Sequence, residues 1–117
     1  ATAIKATGST LIVPVVYPTP YDLSDPYLAR FISLAELKHW ELAPSNASLL
    51  NDAGVPFCFT SQGLKSPLEF LPAVRLAVER GLPESVALAA MTSTPANLIG
   101  VSDIVGSIKP GLKANIS

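Results

Sequence analysis

Charge is what this chain has least of. Charged residues make up 15% of its 117 positions, against roughly 25% in ordinary globular domains. Eight basic and nine acidic residues leave a net charge of −1 and a pI near 5.7. Without a basic surface, neither nucleic acid nor an anionic membrane is an expected partner. Apolar residues reach 49% and the mean hydropathy is +0.41, which excludes disorder. A domain this small has much surface per unit volume and needs charge to cover it. The composition therefore predicts a slice of a larger domain.

Other scarcities narrow the chemistry. One cysteine, Cys58, excludes an internal disulfide and carries no information on compartment. With one histidine, His39, neither a zinc finger nor a multi-histidine metal site can be completed inside the chain. The longest uncharged apolar runs, Leu11–Val16 and Val86–Met91, fall far short of the roughly 20 residues that span a bilayer. Residues 1–8 (ATAIKATG) carry no initiating Met and no signal-peptide apolar core, so no leader is expected there.

Proline and glycine are plentiful, eleven and seven, which excludes a coiled coil or plain helical bundle. Between them short β-like runs alternate with capped helical segments. Thr10–Val16 (TLIVPVV) and Val55–Thr60 (VPFCFT) read as strands covered on both faces, as in parallel sheets. Pro14 is a poor fit inside the first, because proline removes a ladder donor. A long loop, Tyr17–Ile32, separates that strand from a helix over Leu34–Trp40, where Ser33 and Glu36 form a capping box. A second helix fits Pro44–Ala53, closed by Gly54.

After the turn-rich Ser61-Gln62-Gly63, Ser66-Pro67 opens a helix that Pro72 should kink or restart and that runs to Arg80. Leu71, Val74, Ala77 and Val78 line one face of it. Pro83-Glu84 opens a buried helix to about Met91, and Thr94-Pro95 a single turn over Ala96–Ile99. The tail predicts two strands, Val105–Ile108 and Ala114–Ile116, around a Pro110-Gly111 turn. Ending at Ser117, inside the second, suggests a truncated chain. Strand, helix, strand, helix is the α/β pattern, and two strands cannot close a core.

Residues 82–100 (LPESVALAAMTSTPANLIG) resemble the closing helices of the amidohydrolase superfamily. Residues 105–116 (VGSIKPGLKANI) resemble its return into a small β-sandwich, and the likeness extends back to about residue 54. Within that superfamily the pattern looks most like the imidazolonepropionase-like subgroup. The resemblance implies a partial (β/α)₈ TIM-type barrel over residues 1–103 and the start of a composite β-sandwich domain over 104–117. It also implies an active site at the carboxyl ends of the barrel strands, with a divalent metal (Zn, Fe or Mn) that activates water. Of the ligands so implied, only the aspartate that closes the last strand can fall in this chain.

That aspartate is missing. Where the family pattern ends in Gly-Thr-Asp, residues 53–62 read AGVPFCFTSQ and place Gln62, or Ser61 with a one-residue slip, at the expected ligand. A carboxamide offers a carbonyl oxygen to a cation but cannot serve as a general base near pH 7. The longer protein then recruits another carboxylate or has lost the metal chemistry, or Gln62 merely ends a strand.

Other candidates belong to the loops. Thr60-Ser61-Gln62-Gly63 half-matches a nucleophile elbow but lacks its first glycine, and His39 precedes Ser61 where that fold places it after. His39 and Trp40 suit either substrate stacking or an interfacial aromatic beside a solvated histidine. Tyr17, Tyr21, Asp22, Asp25, Tyr27 and Arg30 follow a strand, where barrel enzymes place substrate contacts, although Asp25-Pro26 also suits a turn. Cys58 reads as inert packing.

The functional expectation is part of a metal-dependent hydrolase acting on C–N bonds of a cyclic amide or peptide-like small substrate, inactive alone and with no metal of its own. The alternative is a degenerate barrel with a binding or structural role. The expected partners are the remainder of the barrel and other copies of the chain, through exposed strand edges and apolar faces.

Overall fold

A computed structural model describes residues 2–114. A short helix, α1 (Thr2–Ala6), precedes strand β1 (Leu11–Pro14). The helices α2 (Pro26–Ala29) and α3 (Leu34–Leu42) follow, then a 3₁₀ turn over Ala43–Ser45 that runs into α4 (Asn46–Asp52). Strand β2 (Phe57–Thr60), a 3₁₀ turn at Pro67–Glu69, and helices α5 (Phe70–Glu79), α6 (Glu84–Met91) and α7 (Ser93–Leu98) complete the element order.

β1 and β2 pair in parallel, with Leu11 opposite Phe57 and Pro14 opposite Thr60. Leu11 N–H donates to the Pro56 carbonyl (2.9 Å) and Val15 N–H to that of Thr60 (3.4 Å). Strand alternation therefore turns residues 11, 13 and 15 toward β2 and residues 12 and 14 away from it. Proline is tolerated at position 14 because its missing donor lies on the side where β2 needs none.

β2 carries the core. Phe57 and Phe59 share one face, their rings edge to face at 5.4 Å. Around them pack Ala47 and Leu50 of α4, Val74 and Ala77 of α5, Ala87 and Ala90 of α6, and Val15 and Leu82. The helix ends hold this arrangement. At the end of α5, Gly81 N–H donates to the Val78 carbonyl and Leu82 N–H to that of Ala77 (3.0 and 3.1 Å). This closing motif needs a left-handed residue, and Gly81 adopts φ +105°. It drops Leu82, 2% exposed, straight into the core. Gly54 and Val55 close α4 by the same pair of bonds, to Asn51 and Leu50.

Some expectations require correction. The helix expected from Ser66-Pro67 begins as the 3₁₀ turn Pro67–Glu69 and becomes α-helical at Phe70, which leaves Pro72 in the first turn of α5, where its absent N–H has no intrahelical partner to lose. Leu71 is exposed, so the buried stripe of α5 narrows to Val74 and Ala77. The expected loop Tyr17–Ile32 contains a helical turn, α2, which Asp25 caps by accepting the Tyr27 N–H (2.8 Å). α6 buries Ala87 and Ala90 but leaves Leu88 exposed, and α7 starts at Ser93 rather than after Pro95. Val105–Ile108 forms no strand. Instead of a ladder, this segment turns back on itself, with the Lys113 N–H donating to the Ile104 carbonyl (2.9 Å). Ala114 is irregular, and the rest of the second expected strand, residues 115–117, lies outside the described residues. α1 was not expected.

Candidate functional site

Parallel pairing brings the carboxyl ends of β1 and β2 to one edge of the sheet. In α/β folds that edge is where ligands bind, because the loops leaving the strands converge there. β1 delivers Val16 and Tyr17, while β2 delivers Ser61, Gln62 and Gly63. The two ends touch. Gly63, at φ +88°, leaves so little room that a Cβ would sit 3.1 Å from Val16 Cγ2. The turn itself is internally tied: Gln62 N–H donates to the Thr60 hydroxyl (3.2 Å) and Leu64 N–H to the Ser61 carbonyl (3.1 Å). Ser61 and Gln62 are exposed, whereas Tyr17 is half-buried against the core. Burial pushes the Tyr17 phenol above its usual pKa, so it is a protonated, neutral group at physiological pH.

Thr60 and Gly63, expected only as members of a turn and a half-matched elbow, form the frame of this turn. Their signal is a hydroxyl two residues before a free N–H, then a glycine where two backbones converge.

The structure divides the loop candidates. Asp22 accepts both the N–H and the hydroxyl of Ser24 (2.9 and 2.6 Å), and these bonds hold its carboxyl below its ordinary pKa. Asp25 is occupied as the cap of α2. Arg30 lies over the Tyr27 ring at 4.9 Å, and Tyr27 meets Phe31 edge to face at 5.4 Å. These are self-contained turn and stacking arrangements on an exposed segment. Tyr21 is half-buried nearby in sequence. His39 is exposed and Trp40 half-buried on α3, a helix with no buried residue, which runs directly into the 3₁₀ turn Ala43–Ser45. Of the proposed contacts, only Tyr17 is delivered directly to the strand ends.

The metal that the resemblance implies does not fit these residues. The turn after β2 offers two hydroxyls and a carboxamide, and its charged side chain is that of Lys65. Hard cations require anionic or multiple oxygen donors. No group of three or more His, Cys, Asp or Glu that could hold a metal ion exists among the described residues. Ser61 has no histidine in its own turn, and its carbonyl accepts the Leu64 N–H within that turn. Cys58 is buried in β2.

Two cavities lie elsewhere. A groove of about 960 Å³ runs between α6, α7 and the tail, lined by apolar residues such as Leu88, Met91, Ile99 and Leu112. A smaller one, about 360 Å³, sits at the amino-terminal end of β2 beside Asn51 and Pro56. Neither includes a residue of the strand-end turn. No helix among the described residues is long and apolar enough to cross a membrane.

Residues 35–117, from α3 to the last residue, match the model of the amidohydrolase family. No curated protein matches the chain. Among solved structures it is similar to an amidohydrolase from Thermotoga maritima, with 28% identity and a TM-score of 0.56. That likeness covers 70% of this chain and 21% of the other, so the chain spans about a fifth of the length of that relative.

Proposed function

The chain belongs to the amidohydrolase family, and from that premise we propose that it is part of a hydrolase cleaving a C–N bond in a cyclic amide or related peptide-like small substrate. The observation that carries the reading is the meeting of two parallel strand ends inside a chain matched to this family. The pattern of residues 82–116 supports an imidazolonepropionase-like subgroup, and the parallel pair supports a (β/α)₈ barrel whose other strands lie in the remainder of the protein. Members of the family are generally metal-dependent. In this reading zinc, iron or manganese is held by residues outside 2–114, which also activate the water. The residues described here position substrate.

The exposed apolar surface supports two partners: the rest of the barrel and, for the chain alone, further copies of itself. Sedimentation of the 117-residue chain then gives a mass that grows with concentration, and a monomer at every concentration overturns self-association.

Gln62 favours a second reading, a degenerate barrel that binds a ligand without hydrolysing it. The deciding experiment incubates the full-length protein with a panel of cyclic amides and imides, follows ring opening, and measures bound metal. Hydrolysis with stoichiometric metal supports the enzyme. Binding without turnover, at any metal content, supports the degenerate form.

A further inference from the structure

We propose that the groove between α6, α7 and the tail binds a single-chain amphiphilic carboxylate, its alkyl chain in the groove and its head group against Lys109 and Lys113. The inference does not rest on the hydrolase reading, and no residue of the strand-end turn takes part in it.

The groove holds about 960 Å³, near the upper end of small-molecule sites. Leu88 on α6, Ile99 just after α7 and Ile108 in the tail line it, and they are 57%, 73% and 88% exposed. Apolar side chains left so uncovered around one concavity mark a surface that a ligand can cover. The groove is also built. Gly106, at φ +97°, seats the tail on α7 so closely that a Cβ would lie 2.6 Å from Ala96 Cβ. Val101 N–H donates to the Ala96 carbonyl and Lys113 N–H to that of Ile104 (both 2.9 Å), which folds the tail into the second wall.

Charge decides the occupant. The charged residues lining the groove are Lys109 and Lys113, both exposed, and no carboxylate lines it among the described residues. The two lysines flank a turn in which the Leu112 N–H donates to the Lys109 carbonyl (3.2 Å). Other polar groups are few, and the Thr92 hydroxyl is spent on the Leu88 carbonyl (2.7 Å). An apolar trough edged by cations alone matches an alkyl body with an anionic head. An extended peptide fits less well. The N–H groups of Val101, Val105, Leu112 and Lys113 are spent inside the segment, so these residues offer no strand edge to extend.

Laurate, octanoate and dodecyltrimethylammonium, kept below their micellar concentrations, are the probes, titrated calorimetrically into the full-length protein. Laurate is expected to bind about tenfold more tightly than the cation of equal chain length, the worth of two exposed ion pairs. Octanoate binds more weakly than laurate by about fourfold for each methylene removed. Lys109→Gln combined with Lys113→Gln erases the preference for the anion. Leu88→Asp, which sets a carboxylate in the apolar wall, weakens laurate by about tenfold or more. All three side chains are exposed, and circular dichroism checks that the variants stay folded. Equal affinity for the two head groups overturns the proposal, as does laurate binding that is unchanged in the double variant or in Leu88→Asp. So does a full-length protein that takes no laurate. If a helical peptide rich in Leu and Glu binds there instead, the groove belongs to a protein partner and the proposal falls.

Discussion

The two sides of the sheet, built from equally apolar sequence, end in opposite conditions. β2 buries Phe57 and Phe59 in the core shared with α4, α5 and α6, and Cys58 is buried as well, whereas β1 alternates half-buried and exposed residues, with Ile12 62% exposed. The segment between them diverges further. Neither α2 nor α3 has a buried residue, and Tyr27, Leu28, Phe31 and Leu34 all face out. A radius of gyration of 17.0 Å exceeds the about 13 Å of a compact domain of this size, and the molecule measures 61 × 35 × 21 Å. Hydrophobic character is therefore a demand for cover. Only the β2 side finds that cover inside this chain.

Substitution in each region tests the contrast. The largest effect is expected at Leu82→Ala, which empties a fully buried site and costs about 2–5 kcal/mol in denaturant unfolding of the chain. Phe31→Ala, removing a larger side chain that is 70% exposed, changes stability by no more than about 0.5 kcal/mol. Equal costs would break the comparison. Gly63→Ala combines a left-handed backbone with a 3.1 Å approach to Val16. It is expected to cost about 1–2 kcal/mol and to loosen the joined strand ends, seen as faster amide exchange at Leu64.

Smaller effects belong to α3. Ser33 accepts the Glu36 N–H (3.2 Å), and Glu36 accepts the Ser33 N–H (2.7 Å). Ser33→Ala costs about 1 kcal/mol, confined to α3 because the helix buries nothing, so amide exchange rises there while β2 stays protected. The Ser33 bonds hold the Glu36 pKa below its ordinary 4.5. A depressed carboxylate stabilises the fold above its unfolded pKa, and that contribution is lost as pH falls through the folded value. Helicity of α3 is therefore flat from neutrality down to about pH 5 and falls below about pH 4. A loss beginning near pH 6 would exclude the cap as its cause.

Legibility follows the range of the interaction. The Ser33–Glu36 box, the close of α4 at Gly54 and the Ser66 cap, which accepts the Leu68 N–H (3.3 Å), span at most five residues and are readable from sequence. The strand pair is readable as two apolar β-branched or aromatic runs. The absence of a strand at Val105–Ile108 is not, since a strand exists only with a partner. In the candidate site, Ser61 and Gln62 are legible from the resemblance alone. The engagement of Asp25 with the Tyr27 N–H is the turn chemistry that Asp25-Pro26 already suits, and Asp22 meets Ser24 over the same two-residue range.

The two apolar strands β1 and β2, the caps at Ser33 and Ser66 and the neutrality of the turn after β2 belong to the sequence, because each depends on neighbours a few residues away. Which apolar residues are covered, on which side of β1 Pro14 is harmless, and that Tyr17 and Gln62 reach the same edge of the sheet belong to the tertiary structure. Burial and parallel pairing join residues about 45 positions apart, and their free energy depends on what is brought alongside.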